Sequence, residues 1–270
     1  MQVTTAKYVL DPADPRAPTT EQWATMSESE RRTIVDQLPS EIPCETAPEG
    51  DRHRIPKEKA VESLGEYFRR MGRRVYLSAE LPVYYPGERW FAPDLLAVVD
   101  VETHSREKWV VEAEQRGLDL VIEITLSGDR KKDLVENVER YGRIGIPEYF
   151  VLDLVAHRIF GYRLGDTKTY EPIVPQAGRW SSQVLGLDLM LENGKIRFYS
   201  GSAALLEADE LIARLSTMLD ELVQKEQDVA QSLDDARRRA ESAEQRADNA
   251  EARAQRLAEQ LRKLGVSEDD

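Results

Sequence analysis

Two acidic residues, Asp94 and Glu123, lie in segments that are otherwise rich in apolar and β-branched residues. If these segments form neighbouring strands, the two carboxylates can meet at one point, where they repel each other unless a cation lies between them. Oxygen ligands of this kind suit Mg²⁺ or Mn²⁺, and such an ion lowers the pKa of bound water and stabilises charge on a phosphate. A second interpretation stays open, in which Glu123, like Asp119, faces solvent on a half-covered strand.

The elements around these two residues predict an α/β fold. A helix is predicted at residues 57–70, with Pro56 at its start and Gly72 at its end. The order helix–strand–strand–strand–helix–strand that follows predicts a mixed sheet flanked by helices. The predicted strands cover residues 74–85, 94–101, 118–125, 148–152, 159–163, 170–173 and 196–199, and the second helix covers residues 129–144.

Four motifs in this region resemble the Uma2 family of restriction-endonuclease-like proteins, which is placed in the PD-(D/E)xK nuclease superfamily. The motifs are Ala-Pro-Asp94-Leu-Leu, Leu-Val-Ile-Glu123-Ile, Asp133-x3-Asn137-x3-Tyr141 and Gly145-Ile-Pro-Glu148-Tyr149-Phe-Val-Leu-Asp153. The resemblance covers about residues 50–200. It implies a restriction-endonuclease-like fold, a Mg²⁺-dependent (or Mn²⁺-dependent) endonuclease acting on DNA, and Asp94 and Glu123 as the metal ligands.

The resemblance also implies a catalytic lysine, and here the chain departs from the family pattern. The position two residues after Glu123, where the superfamily often has its lysine, holds Thr125. The position on the following helix, where Uma2-like sequences have it, holds Asn137, which can position water or contact a phosphate oxygen but carries no charge. Arg130, two turns earlier on a regular helix, is a candidate to replace the missing cation.

Three further residues are possible accessory members of the site: His53, Asp133 and Tyr141. Because the lysine is missing, a second function is carried beside the endonuclease. In that alternative the chain is a catalytically impaired nuclease fold that serves as a scaffold or interaction protein and dimerises through its C-terminal segment.

The composition limits the class of protein. The chain has 270 residues, a formal net charge of −13 and a single cysteine, Cys44, which excludes a disulfide framework and a zinc site built from several thiolates. The acidic balance argues against binding nucleic acid by bulk electrostatics, although a local basic groove or a metal ion remains compatible with it. With no membrane-spanning run and no secretory signal in the sequence, the cytoplasm is the expected location.

The C-terminal part predicts a coiled coil. From Leu205 to Leu264 the heptad positions a and d are apolar except at Glu226. The flanking charges favour a parallel homodimer through residues 205–264, because g and e positions of the two chains then pair Arg239 with Glu244 and Arg246 with Glu251. A single solvated helix, or pairing with another protein, is the alternative.

Three regions are therefore expected. Residues 1–50 form an irregular lead-in with a short helix at 26–38, residues 51–202 form the Uma2-like domain, and residues 203–266 form the coiled coil.

Overall fold

A computed structural model describes residues 8–41, 50–126, 130–192 and 194–263, and its contacts divide the chain into two compact units, Met1–Ala208 and Asp209–Asp270. The helices are α1 (Thr20–Thr25), α2 (Glu28–Gln37), α3 (Asp51–Met71), α4 (Val111–Glu114), α5 (Asn137–Ile144), which a π-helical turn (Lys132–Glu136) precedes, and α6 (Ala208–Lys263). The strands are β1 (Val75–Ser78), β2 (Val83–Tyr84), β3 (Leu95–Val99), β4 (Trp109–Val110), β5 (Leu120–Thr125), β6 (Glu148–Asp153), β7 (Arg158–Leu164), β8 (Tyr170–Pro172), β9 (Trp180–Ser182), β10 (Leu187–Glu192), β11 (Lys195–Ser200) and β12 (Ala203–Ala204).

The central sheet has six strands in the order β1-β3-β5-β6-β7-β8. β5 and β6 are parallel, because the chain crosses between them through α5, and the other neighbours are antiparallel. Alternate side chains point to opposite faces, so that Leu95 and Ile122 pack with Phe68 of α3, whereas Val121 packs with Tyr141 of α5. The predicted mixed sheet flanked by helices is confirmed.

Helix α3 begins six residues earlier than the sequence indicated. It starts at Asp51 after the N-cap Gly50 and contains Pro56 in its interior, so the prediction that Pro56 marks the start was wrong. The end was predicted correctly: Gly72 adopts φ 67°, a left-handed conformation that glycine accepts without a steric cost. The early start adds more than one and a half turns, which bring His53 to the site described below, beside Lys57.

The segment before α3 is more ordered than the irregular lead-in that was predicted. α1 and α2 each begin with a complete capping box, formed by Thr19 with Gln22 and by Ser27 with Glu30. Trp23 and Leu38 are buried and pack in one cluster with Tyr84 of β2. Residues 42–49, which include Cys44, lie outside the described residues.

The predicted strand at residues 74–85 is two strands. Glu80 has φ 54° and Pro82 cannot donate to a strand ladder, so the segment leaves the central sheet after Ser78. β2 then forms a separate parallel pair with β4. Most of a second, four-stranded sheet, in the order β12-β11-β10-β9, was also missing from the prediction, since only residues 196–199 of β11 were recognised.

The C-terminal unit is the long helix α6, of 56 residues and about 84 Å at 1.5 Å per residue. Its heptad side chains are exposed in the single chain: Ile212, Leu215, Leu219 and Leu222 are each 62–64% accessible. The predicted long C-terminal helix is confirmed. Its pairing stays a prediction, and residues 264–266 of the predicted coiled coil lie outside the described residues.

Within the described ranges, none of the helices combines the length and the hydrophobicity that a membrane span requires.

Candidate active site

Asp94 immediately precedes β3, Glu123 lies within the neighbouring strand β5, and the two face the same side of the central sheet. β3 and β5 pair with Leu95 opposite Ile122, so the next position on each strand brings Asp94 opposite Glu123, and directly opposite residues project to the same side. The backbone N–H of Asp94 donates to Glu123 Oε2 at 3.3 Å. Because Glu123 is only 6% exposed, the interpretation that it faces solvent was wrong.

The Asp94 carboxylate is held from two sides. Its Oδ2 accepts the backbone N–H of Ile124 at 2.6 Å, and its Oδ1 lies 3.4 Å from Nζ of Lys57. The first bond continues the β3–β5 ladder with a side-chain oxygen in place of a carbonyl. The second brings a positive charge from α3 to the end of the sheet.

The Glu123 carboxylate is buried deeper, and among the described residues no ion pair with it is found. Its Oε1 accepts the hydroxyl of Tyr141 at 2.8 Å. Burial, followed by the charges of Asp94 and Asp133, raises the pKa of Glu123 to about 8, although the charge of Lys132 and the bond from Tyr141 oppose the shift. A divalent cation that bound beside this carboxyl group would displace its proton to solvent, because a carboxylate ligand must be deprotonated.

His53 contacts the same point from α3. Its Nε2 lies 2.7 Å from the carbonyl oxygen of Ile124 and 3.2 Å from Oδ2 of Asp94, and its Nδ1 lies 3.2 Å from Nζ of Lys57. An ammonium group only donates hydrogen bonds, so Nδ1 accepts and Nε2 carries the ring proton. His53 therefore acts as a hydrogen-bond donor to the strand end and to Asp94.

Asp133, from the π-helical turn, forms the far wall of the site. One of its oxygens accepts the hydroxyl of Thr125 at 2.8 Å and the other accepts the amide of Asn137 at 3.2 Å. The hydroxyl of Tyr149 donates to its backbone carbonyl at 2.9 Å. Burial raises the pKa of the Asp133 carboxyl. Asn137 is thus buried and bonded to Asp133, in the place where the family pattern has a lysine.

Arg130 lies elsewhere. Its guanidinium forms an ion pair at 2.7 Å with Asp153 at the end of β6. The expectation that Arg130 shares a face with Asn137 assumed a regular helix, and the π-helical turn between them is wider than an α-helical turn. One extra residue in such a turn changes the facing direction by roughly 100°.

Lys57 is the member of the site that the sequence did not indicate. Its side chain is 3% exposed and forms ion pairs with Glu80 and with Asp94. The available signal was its spacing of one helical turn from His53. Because the sequence predicted that the helix begins after His53, the spacing could not be recognised as one turn of a helix.

The donors at the site fit a hard divalent cation. Among the described residues no three His, Cys, Asp or Glu side chains converge to hold an ion, which leaves two carboxylates with water in the other positions, the coordination that Mg²⁺ prefers. Burial is the main cause that raises the pKa of Glu123, and the charge of Asp94 adds to it; a cation bound between the two carboxylates would offset the repulsion. Asp94 and Glu123 would hold the ion, and Tyr141 and the Ile124 amide would orient them.

Comparisons with known proteins identify the family of the chain. A family model described as "Uma2: Putative restriction endonuclease" matches residues 28–192. Among solved structures, a "putative nuclease belonging to DUF820" from Anabaena variabilis ATCC 29413 is similar over 53% of this chain and 87% of its own, with 16% sequence identity and a TM-score of 0.40. A comparison with curated proteins gave no match. Because the family model covers more than half of its residues, the chain belongs to the Uma2 family.

Proposed function

We propose that the chain is a Mg²⁺- or Mn²⁺-dependent endonuclease that hydrolyses phosphodiester bonds in DNA. Membership of the Uma2 family supports a nuclease. The observation that carries the proposal is the pair of buried carboxylates, Asp94 and Glu123, on opposite positions of β3 and β5. A metal ion bound there would supply Lewis-acid stabilisation of the phosphate and a more acidic water.

The protein's own groups would keep these ligands in place. The Ile124 amide fixes Oδ2 of Asp94, and the Tyr141 hydroxyl fixes Oε1 of Glu123. Thr125 and Asn137 hold Asp133 beside them. Groups that are bonded before substrate arrives need no reorganisation during the reaction, and this preorganisation is a large part of electrostatic catalysis.

A local basic surface supports a polyanionic substrate in spite of the net charge of −13. Arg69, Arg73, Arg74 and Arg106 line one cleft along the edge strand β1. The Arg106 side chain is only 6% exposed and paired with Glu114, and Arg69 is paired with Glu66. The surface charge therefore comes mainly from the exposed Arg74 and from Arg73, whose guanidinium donates to two carbonyl oxygens without losing its charge. Clustered guanidinium groups of this kind attract phosphates even on an acidic protein.

The test of this function is cleavage of supercoiled plasmid DNA by the purified full chain. We expect nicked and linear products with Mg²⁺ or Mn²⁺ and none with EDTA, because the two carboxylates repel each other and the substrate unless a cation lies between them. Measuring products on agarose gels over time checks this. Intact plasmid with both metals would contradict the endonuclease and favour the non-catalytic scaffold, which the amide of Asn137 at the lysine position also favours.

We also propose that α6 pairs with α6 of a second copy in a parallel coiled coil over residues 208–263. Leu205, the first predicted seam position, packs instead against the core of the globular unit and donates its backbone N–H to the carbonyl oxygen of Phe198. The wild-type chain is expected to sediment with the mass of two chains, since its exposed apolar seam would be covered. Leu215→Glu combined with Leu222→Glu places charges in the seam and should give one chain. The matched control, Thr217→Glu with Gln224→Glu, adds equal charge at outward f positions and should leave two chains.

The orientation of the pair has its own test. In a parallel dimer the two copies of each d position face each other. A Cys44→Ser, Ala243→Cys variant should therefore form an interchain disulfide on mild oxidation, seen on a non-reducing gel. A wild-type monomer in sedimentation, or a dimer that does not cross-link through position 243, would contradict the parallel homodimer.

A further inference from the structure

A buried lysine lies beside Asp94, on an element that the family's lysine pattern does not use. Lys57 belongs to α3, and its Nζ is 3.4 Å from Oδ1 of Asp94 and 3.2 Å from Nδ1 of His53. It also forms an ion pair with Glu80. Its side chain is 3% exposed, although lysine is among the residues least often buried.

The partners of Lys57 explain how its charge is tolerated there. Removing an ammonium group from water costs several kcal/mol, which only close counter-charges and hydrogen bonds offset. Asp94 is largely buried, whereas the side chain of Glu80 is 56% exposed. Glu80 reaches Lys57 from a backbone with φ 54°, and its N–H is bonded to the carbonyl of Pro93, next to Asp94. The strand end is therefore arranged around this charge.

The other residues that could take the place of the family's lysine are less well suited. Asn137 is uncharged and donates to Asp133, and Arg130 is paired with Asp153. Lys132 acts on Glu123 through its charge, but its side chain is exposed. Lys57 is the cation that touches an expected metal ligand directly.

We propose that Lys57 supplies the fixed positive charge that the Uma2 lysine position, occupied here by Asn137, does not. The proposal rests on the endonuclease function above. Lys57 is a positioning residue: it holds Oδ1 of Asp94, and its bond to Nδ1 of His53 keeps the ring proton on Nε2, directed at Ile124 and Asp94. Its positive field also favours the developing negative charge of a phosphate under attack.

The experiment is a second-site rescue. Lys57→Met removes the charge and retains most of the side-chain volume, and it is expected to lower plasmid cleavage by about a hundredfold. Adding Asn137→Lys to this variant restores a cation on the other side of the carboxylates. The double variant should cleave at least about tenfold faster than Lys57→Met alone. Lys59→Met, two residues away and paired with Glu207, is the matched control and should cleave as the wild type does.

A readout independent of cleavage is the affinity for Mn²⁺, measured by calorimetry on the metal-free proteins. Lys57→Met should bind Mn²⁺ at least severalfold more tightly than the wild type, because a like charge beside Asp94 is gone. A merely structural role predicts weaker binding and no recovery with Asn137→Lys. If Lys57→Met does not fold, Lys57→Gln, which keeps a donor for Asp94, replaces it with the same expected results.

The outcomes separate the two proposals. Cleavage by Lys57→Met within threefold of wild type, or no recovery in the folded double variant, overturns the role of Lys57 and leaves the endonuclease intact. Failure of both Lys57 variants to fold assigns the residue to the fold and also overturns its role. If the wild-type chain cleaves nothing, the proposed endonuclease function is wrong. Equal Mn²⁺ affinity of the wild type and of Lys57→Met would in that case also contradict the proposed role of Lys57.

Discussion

Asp94→Asn is expected to lower the rate of plasmid cleavage by about a thousandfold or more, because it removes one of the two proposed charged ligands of the metal. The amide is nearly isosteric, and its oxygen can still accept the N–H of Ile124, as Oδ2 of Asp94 does at 2.6 Å. Its NH₂ group, however, then faces the Lys57 ammonium, which also only donates. Calorimetry should show no Mn²⁺ binding by this variant under conditions where the wild type binds.

The control for Asp94→Asn is Asp166→Asn, which changes an exposed carboxylate in the turn between β7 and β8. It should cleave at the wild-type rate. Equal cleavage by Asp94→Asn and the wild type would show that a contaminating nuclease, or a different site on the chain, is responsible. Circular dichroism of both variants separates lost chemistry from lost folding.

Glu148→Ala is expected to destabilise the globular unit by about 2–3 kcal/mol, because it leaves buried hydrogen-bond donors without a partner. Glu148 is 1% exposed, and its Oε1 accepts two bonds from the Arg163 guanidinium, at 2.9 and 2.8 Å. The hydroxyl of Ser182 and the backbone N–H groups of Gln183 and Val184 also donate to it. One carboxylate thus ties β6 of the central sheet to the end of β9.

Urea unfolding followed by tryptophan fluorescence measures this change. The matched control is Glu58→Ala, which removes the carboxylate of an exposed i,i+4 pair with Arg54 on α3 and should leave the unfolding midpoint almost unchanged. If Glu148→Ala lowers the free energy of unfolding by less than about 1 kcal/mol, water must satisfy the five donors in the variant.

The sequence predicted the central part of the site because it follows from strand alternation. Asp94 and Glu123 fall on strands that are adjacent in the chain, and adjacent strands are commonly neighbours in a sheet. Tyr141 and Asp133 were named through the family resemblance, and both line the site. These residues could be found because regular strands have a fixed period.

The rest depended on departures from regular geometry. Pro56 lies inside α3 and hid the turn that carries His53 to the site. The π-helical turn moved Arg130 away from the face of Asn137. The second sheet was largely missed because some of its strands are very short, with three residues in β9 and two in β12. Its strand β10 does alternate, with Leu187, Leu189 and Leu191 on the core side, but was not recognised. Tertiary contacts, rather than local pattern, determine such elements.

Asp94 accepts the backbone N–H of Ile124 in addition to its proposed role as a metal ligand, so two separate kinds of selection would preserve it. Selection for a stable sheet would preserve the residue even in a descendant that had stopped cutting, because losing the carboxylate would strand a buried amide at the strand end. The contacts of Lys57 with Asp94, His53 and Glu80 are made by its ammonium group with other side chains, and a neutral side chain of equal length could fill its place. Among relatives that share this helix, the identity of the residue at position 57 is therefore the more informative marker of retained chemistry.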